Sequence, residues 1–316
     1  MDEALASLDE LSTRRVKSLY LGTRLSFNSE ELKEVKVYSI SLPQSVNKIV
    51  VSNLRLQLCD LPSFVELKRL CLRWVDLGSW ESWPSAGLTL TPSAFATPQL
   101  GTLESLTLLD VFLYSESFPL WTTWLTPTLL PLLRRLTLGL TGSGTKLGEE
   151  ENLRLAVSRL APQLTSFALV QGGSSLGVTD TFPWTAFTAL QHLALYPQNS
   201  DPSALITFAL HGIPRALSLL RIGDTRNLSD FDQLAVPWQK KVCKQLVAAL
   251  EEDSPSLRKL ERLVLESGTA EIGEKAKSQI SKLRHTMLER GGCLEARVGW
   301  GGEKGQLSWE RFLEPW

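Results

Sequence analysis

Few side chains in this sequence are spaced to do chemistry, and none completes a catalytic set. The segment GLTGSGTKLGEE (139–150) has Gly139 and Gly144 at the spacing of a phosphate-binding loop. Such a loop requires Lys directly after its last Gly, so that the ammonium reaches phosphate oxygens cradled by backbone N–H groups. Here Thr145 intervenes and Lys146 arrives one place late, so the segment reads as a plain glycine-rich loop. The three histidines, His192, His211 and His285, have no second ligand at helical or hairpin spacing, which predicts no metal site. No G-x-S-x-G elbow and no Cys–His pair in a recognisable frame supplies a nucleophile. The chain is therefore expected to have no catalytic residues, no cofactor and no nucleotide.

What the sequence does supply is a set of basic and aromatic residues whose positions follow a repeat. Nine times an apolar residue is followed by two variable residues, an apolar one, a variable one and another apolar one. These frames start at Val16, Val46, Leu67, Leu103, Leu133, Leu164, Leu190, Leu217 and Leu260. The clearest are LKRLCL (67–72), LESLTL (103–108), LQHLAL (190–195) and LERLVL (260–265). This is the Leu-x-x-Leu-x-Leu core of a leucine-rich repeat. Fourth and sixth positions share one side of a short strand, because successive side chains alternate faces. All nine such pairs, from Leu19/Leu21 to Leu263/Leu265, are apolar. The intervals run from 21 to 43 residues and average about 30, near the upper end of the roughly 20–29 usual for this repeat.

An interval that long leaves room for a helix on the return path. Helical spacing of apolar residues predicts helices over 2–11, 121–133, 150–160, 239–252 and 271–290. Asp201-Pro202 and Ser254-Pro255 read as loop punctuation. The expected fold is an α/β leucine-rich-repeat solenoid, curved, with parallel strands on the concave face and helices on the convex face. Its expected organisation is a short capping helix over 1–15, about nine irregular repeats over 16–267, and a C-terminal helix with a capping tail over 268–316.

The 316 residues carry a formal net charge of −1, which argues against bulk attraction to nucleic acid or an anionic membrane. No signal-like apolar run follows Met1, and apolar stretches end well short of the roughly 20 residues that span a bilayer. The four cysteines, Cys59, Cys71, Cys243 and Cys293, show no paired spacing. A reduced intracellular protein, cytoplasmic or nuclear, is expected.

If fourth and sixth positions face the core, third, fifth and seventh positions face the hollow. Those rows hold six basic residues, Lys48, Arg69, Arg73, Arg135, Arg221 and Arg262, against one acidic residue, Glu266. Two readings follow. The basic residues solvate a strand face while their aliphatic stems cover apolar neighbours, or the stripe receives an acidic or phosphorylated segment of a protein partner. In the second, Arg69, Arg73, Arg135 and Arg221 are central, Lys48 and Arg262 extend the stripe, and Tyr20, His192 and Tyr196 flank it. Ten tryptophans are many for this length, and Trp80 and Trp83 fall in RWVDLGSWESW (73–83), in the loop after the third strand. They either pack that insert against its own repeat or anchor a partner.

The irregular repeat length, the phrase LAPQLTSFAL (160–169) and the recurrent Leu-basic-basic-Leu run into the strands resemble one known group. It is the repeat half of F-box/leucine-rich-repeat proteins, especially divergent fungal ones. The resemblance spans most of the chain and is one of pattern. It implies a non-enzymatic scaffold whose repeats bind a substrate, while a separate F-box docks the Skp-type adaptor of a cullin ubiquitin ligase. The sequence departs from that family in two places. The ninth repeat position, usually Asn or Cys, is Arg24, Leu54, Val75, Val111, Thr141, Gly172, Gln198, Thr225 and Gly268. No Asn ladder can form, so buried backbone groups in the turns must find other partners. Nor is an F-box recognisable ahead of the repeats, since Leu42-Pro43 and Leu61-Pro62 resemble its opening in the wrong context. The Skp-type adaptor is thus expected as a partner only if an F-box lies outside this chain. The alternative is an interaction protein of the same repeat stock with no ubiquitin link.

Overall fold

A Leu-x-x-Leu-x-Leu frame buries all three apolar positions only if neighbouring strands keep the same register, since a slip of one residue turns every side chain to the other face. The computed structural model describes residues 18–22, 46–55, 67–76, 100–109, 125–140, 147–171, 182–197, 202–223, 238–267 and 274–298. They fall into two compact units, 1–133 and 134–316. In the first, β1 (Ser18–Gly22), β2 (Lys48–Arg55), β3 (Arg69–Asp76) and β4 (Ser105–Leu109) pair in chain order, all parallel. In the second, β5 (Arg135–Leu140), β6 (Ser166–Gln171), β7 (His192–Pro197), β8 (Leu219–Gly223), β9 (Arg262–Ser267) and β10 (Cys293–Val298) do the same.

The register keeps like positions together. Third positions align as Ser18, Lys48, Arg69 and Ser105 in the first unit, and as Arg135, Ser166, His192, Leu219 and Arg262 in the second. First-position residues from Val46 to Leu260 are at most 6% exposed, and fourth and sixth positions from Leu70 to Leu265 at most 4%. The frames read from the sequence are therefore the strands and their core.

At the start of the strands, backbone atoms pair in a pattern that repeats within each unit. Six second-position carbonyls, those of Asn47, Lys68, Arg134, Thr165, Gln191 and Ser218, accept the second- and third-position amides of the next frame. Asn47 O accepts from Lys68 and Arg69, Arg134 O from Thr165 and Ser166, and Ser218 O from Glu261 and Arg262, all at 2.9–3.0 Å. Such pairing is independent of side-chain type, which is why Asn, Lys, Arg, Thr, Gln and Ser all occur at that position. Of the ninth positions, Leu54 and Val75 pair with each other across β2 and β3, and the other seven lie outside the described residues.

Four helices are described, all in the second unit: α1 (Leu147–Leu160), α2 (Pro202–Gly212), α3 (Trp238–Glu251) and α4 (Glu274–Glu289). Each buries one stripe at steps of three and four, as with Val242, Leu246, Val247 and Leu250 in α3 and Ala276, Ile280, Leu283 and Met287 in α4. Arg290 fastens α3 and α4 together. Its guanidinium donates to Leu250 O at 2.8 Å and to Asp253 at 2.7 Å, and Arg258 holds the other Asp253 oxygen at 3.1 Å.

The expected helices over 150–160, 239–252 and 271–290 correspond to α1, α3 and α4, and the one over 2–11 lies outside the described residues. Three expectations are corrected. Over its described part, 125–133, the segment expected as helix is a run of turns, because Pro127 and Pro131 withdraw amides from a helical ladder. Leu125, Leu130 and Leu133 are buried all the same. Pro202, read as loop punctuation, instead opens α2, where its fixed φ suits the first helical turn. Finally, the region 268–316 holds a strand. Gly291 (φ 77°) ends α4 with Gly291 N–H on Leu288 O and Gly292 N–H on Met287 O, and β10 follows at once.

Candidate functional site

The third, fifth and seventh positions face away from the leucine core, yet most of them are buried. At the fifth position Val50, Cys71, Thr107, Thr137, Ala168, Ala194 and Val264 are at most 8% exposed. At the seventh, Leu109, Val170, Tyr196 and Glu266 are at most 1% exposed. Parallel sheets are commonly covered on both faces. The broad polar hollow expected from the sequence thus narrows, among the described residues, to the third-position row of each unit. There Arg69 is exposed, and Lys48, Arg135, His192 and Arg262 are partly so.

In the first unit Lys48 and Arg69 are direct neighbours across β2 and β3. The Arg69 side chain makes no hydrogen bond or ion pair among the described residues. Tyr20 and Arg73 hold their expected strand positions, opposite Val50 and Ser52. Trp80 and Trp83 lie outside the described residues.

In the second unit the row ends in a charge network that the nine frames do not reveal. Tyr196 on β7 donates its hydroxyl to Glu266 on β9 at 2.9 Å. It reaches there across Gly223 on β8, where a Cβ would come within 2.5 Å of the Tyr196 ring. Burial first, and the Glu266 charge next, hold the Tyr196 phenol well above its usual range, so it remains a donor. Arg221 on β8 and Arg297 on β10 approach the same carboxylate at 3.9 and 3.4 Å. Arg297 also bonds Glu295 at 2.9 Å, and Glu295 accepts from Arg262 at 2.6 Å. The Arg262 bond, with help from Arg297, holds the Glu295 carboxyl below its ordinary value. Arg221, Arg262 and Tyr196 were expected to meet a partner. Instead Arg221 and Arg262 approach acidic residues of the chain itself, and Tyr196 is buried.

Glu295 and Arg297 escaped the leucine frame because Gly291 fills its first position and Ala296 its sixth. The alternation Leu294-Glu295-Ala296-Arg297-Val298 directly after a Gly-Gly helix stop is the period-two signal that would have found them.

The other end of this unit's row differs. Arg135, Ser166 and His192 stand side by side on β5, β6 and β7. Ser166 Oγ lies 3.0 Å from His192 Nδ1. Burial first, then the Arg135 charge, lowers the His192 pKa below its ordinary value, while Glu261 opposes them. Among the described residues neither Arg135 nor His192 forms an ion pair.

The remaining candidates do not assemble. His211 bonds Thr207 O within α2 and His285 pairs with Glu289 within α4, at 2.7 and 3.1 Å. Among the described residues no three His, Cys, Asp or Glu side chains could share a metal, and no helix is long and apolar enough to cross a membrane. Gly139 is buried in β5, and Gly144, Thr145 and Lys146 lie outside the described residues. Cys71 and Cys243 are buried thiols, the latter pushed up to about 12 by burial, and Cys293 is exposed. No protein-family model matches the chain, and no curated protein is significantly similar to it.

Proposed function

We propose that this chain is a leucine-rich-repeat recognition scaffold that holds a protein ligand along the third-position rows of its two units and performs no chemistry on it. One observation supports this reading: within each unit the leucine frames fall into register, so that variable third-position residues become neighbours in a row. A scaffold of identical steps with a variable exposed residue at each is suited to reading an extended surface. The exposed or partly exposed basic members, Lys48, Arg69 and Arg135, favour an acidic or phosphorylated segment as ligand.

The test is quantitative affinity purification from native cells with three forms of the protein. The Arg69→Glu, Arg135→Glu double variant should lose the partner that wild type retains. Arg284→Glu, an equal reversal on exposed α4, should keep it. Equal recovery with the double variant and wild type would mean that the row is only a solvated face. The link to a cullin ubiquitin ligase rests on resemblance of repeat pattern. Recovery of a Skp-type adaptor with the full-length protein would support it, and recovery of a row-dependent partner without that adaptor would favour an interaction protein with no ubiquitin link.

A further inference from the structure

We infer, on the reading that the third-position row receives a protein ligand, that Arg135, Ser166 and His192 form a subsite for a phosphoryl group on a side chain of that ligand. Strict register makes them neighbours on three consecutive strands. With strands about 4.8 Å apart, the Arg135 and His192 backbones are about 10 Å apart, and Ser166 sits between them.

Charge sets this trio apart from the rest of the second unit's strand face. Arg221, Arg262 and Arg297 each have a carboxylate within 4 Å, at 3.9, 2.6 and 3.4 Å. Arg135 has no ion pair among the described residues. The charged groups acting on His192 are Arg135 on β5 and Glu261, which precedes β9. Ser166, its direct hydrogen-bond neighbour, is 3% exposed and neutral. A carboxylate needs little more than an arginine fork, as Glu295 finds between Arg262 and Arg297. One cation accompanied by a hydroxyl and an imidazole suits a group with three terminal oxygens and up to two charges.

The Ser166–His192 contact gives the subsite a response to its ligand. In neutral His192, Nδ1 can accept the Ser166 hydroxyl hydrogen. A dianion nearby favours the imidazolium, whose Nδ1–H must then donate to Ser166 Oγ, and this releases the hydroxyl hydrogen toward the ligand. One proton taken up adds both a charge and a donor.

The test uses the full chain with isotopically labelled histidine, titrated by NMR at matched ionic strength in chloride, acetate or inorganic phosphate. His192→Gln assigns the His192 signal, and His211 and His285 serve as internal references. Phosphate should raise the His192 midpoint by about one pH unit, meaning about tenfold tighter binding to the protonated form. Acetate should not, and Arg135→Gln should abolish the rise while leaving both references unmoved. Identical midpoints in phosphate and chloride would overturn the subsite. So would an equal rise in acetate, or a phosphate rise that survives Arg135→Gln. Partner binding that survives the double charge reversal while His192 still responds to phosphate would remove the row reading and leave the subsite standing. Row-dependent binding with a phosphate-blind His192 would do the reverse.

Discussion

The two ends of one strand face, β5–β7 and β8–β10, start from the same repeat grammar and arrive at opposite electrostatics. At β5–β7 the third positions are Arg135, Ser166 and His192, and Arg135 has no ion pair among the described residues. At β8–β10, Arg221, Arg262 and Arg297 gather around Glu266 and Glu295. Counting charges along rows treats both ends alike. What separates them is reach between rows and strands. Tyr196 crosses a whole strand to Glu266 because Gly223 leaves the path clear, and β10 adds Glu295, 2.6 Å from Arg262, and Arg297, 3.4 Å from Glu266.

The largest test of this difference is removal of the shared carboxylate. Glu266 is 1% exposed, and Glu266→Ala removes the buried carboxylate that accepts the Tyr196 hydroxyl and faces the Arg221 and Arg297 guanidinium groups. Breaking one side of a buried charged set costs about 3–5 kcal/mol. Urea denaturation should show that loss, whereas Arg135→Ala at the other end should change stability by no more than about 0.5 kcal/mol. Comparable costs at both ends would erase the distinction. Next comes the clear path itself. Gly223→Ala sets a methyl 2.5 Å from the Tyr196 ring and 3.3 Å from Glu266 Cβ, an overpacking worth about 1–3 kcal/mol. The double variant with Tyr196→Ala should cost less than the two changes added together, because the clash disappears with the ring.

The leucine frame was legible because its signal is one of period and repetition. Strands β1–β9, their register within each unit and the buried first, fourth and sixth positions among the described residues all follow from it, and α1, α3 and α4 from apolar residues at helical spacing. It failed where a residue serves two grammars. Pro202 punctuates a loop equally well as it opens a helix, and Pro127 and Pro131 sit among leucines that look helical by spacing alone. It failed again at β10, whose glycines satisfy a helix stop and leave the first position of the frame empty of a side chain. For the candidate site the row positions were readable, but pairing was not. Strand alternation says which way Tyr196 and Arg221 leave the sheet, while their burial and their carboxylate partner depend on neighbours far away in sequence.

A smaller effect is expected at the rim of the network. Glu295 is about one-third exposed and bonds both Arg262 and Arg297, so Glu295→Gln should cost about 0.5–1 kcal/mol after allowance for solvent. Because these bonds hold the Glu295 carboxyl below its ordinary 4.5, its stabilisation is present above that pH and lost as pH falls through the folded value. The variant's deficit should therefore shrink in acid. A deficit that stays constant down to pH about 3 would mean that shape, and not charge, holds β10 in place.

The smallest effect belongs to the open end and has the opposite pH signature to a histidine paired with a carboxylate. Burial and Arg135 hold His192 below its ordinary 6.5, so the unfolded chain binds the proton more readily than the folded one. Stability from this group is then greatest above 6.5 and falls as pH drops through the window between the unfolded and folded midpoints, below which both states are protonated. Arg135→Gln removes the second of the two causes and should flatten that slope, by no more than about 0.5 kcal/mol across the window. His192→Gln should abolish it. Denaturation midpoints collected from about pH 7.5 to pH 5 would resolve the pair of slopes. A slope unchanged by Arg135→Gln would mean that burial alone sets the histidine, and that the arginine stands too far from it for the two ends of the face to differ in the way their charges suggest.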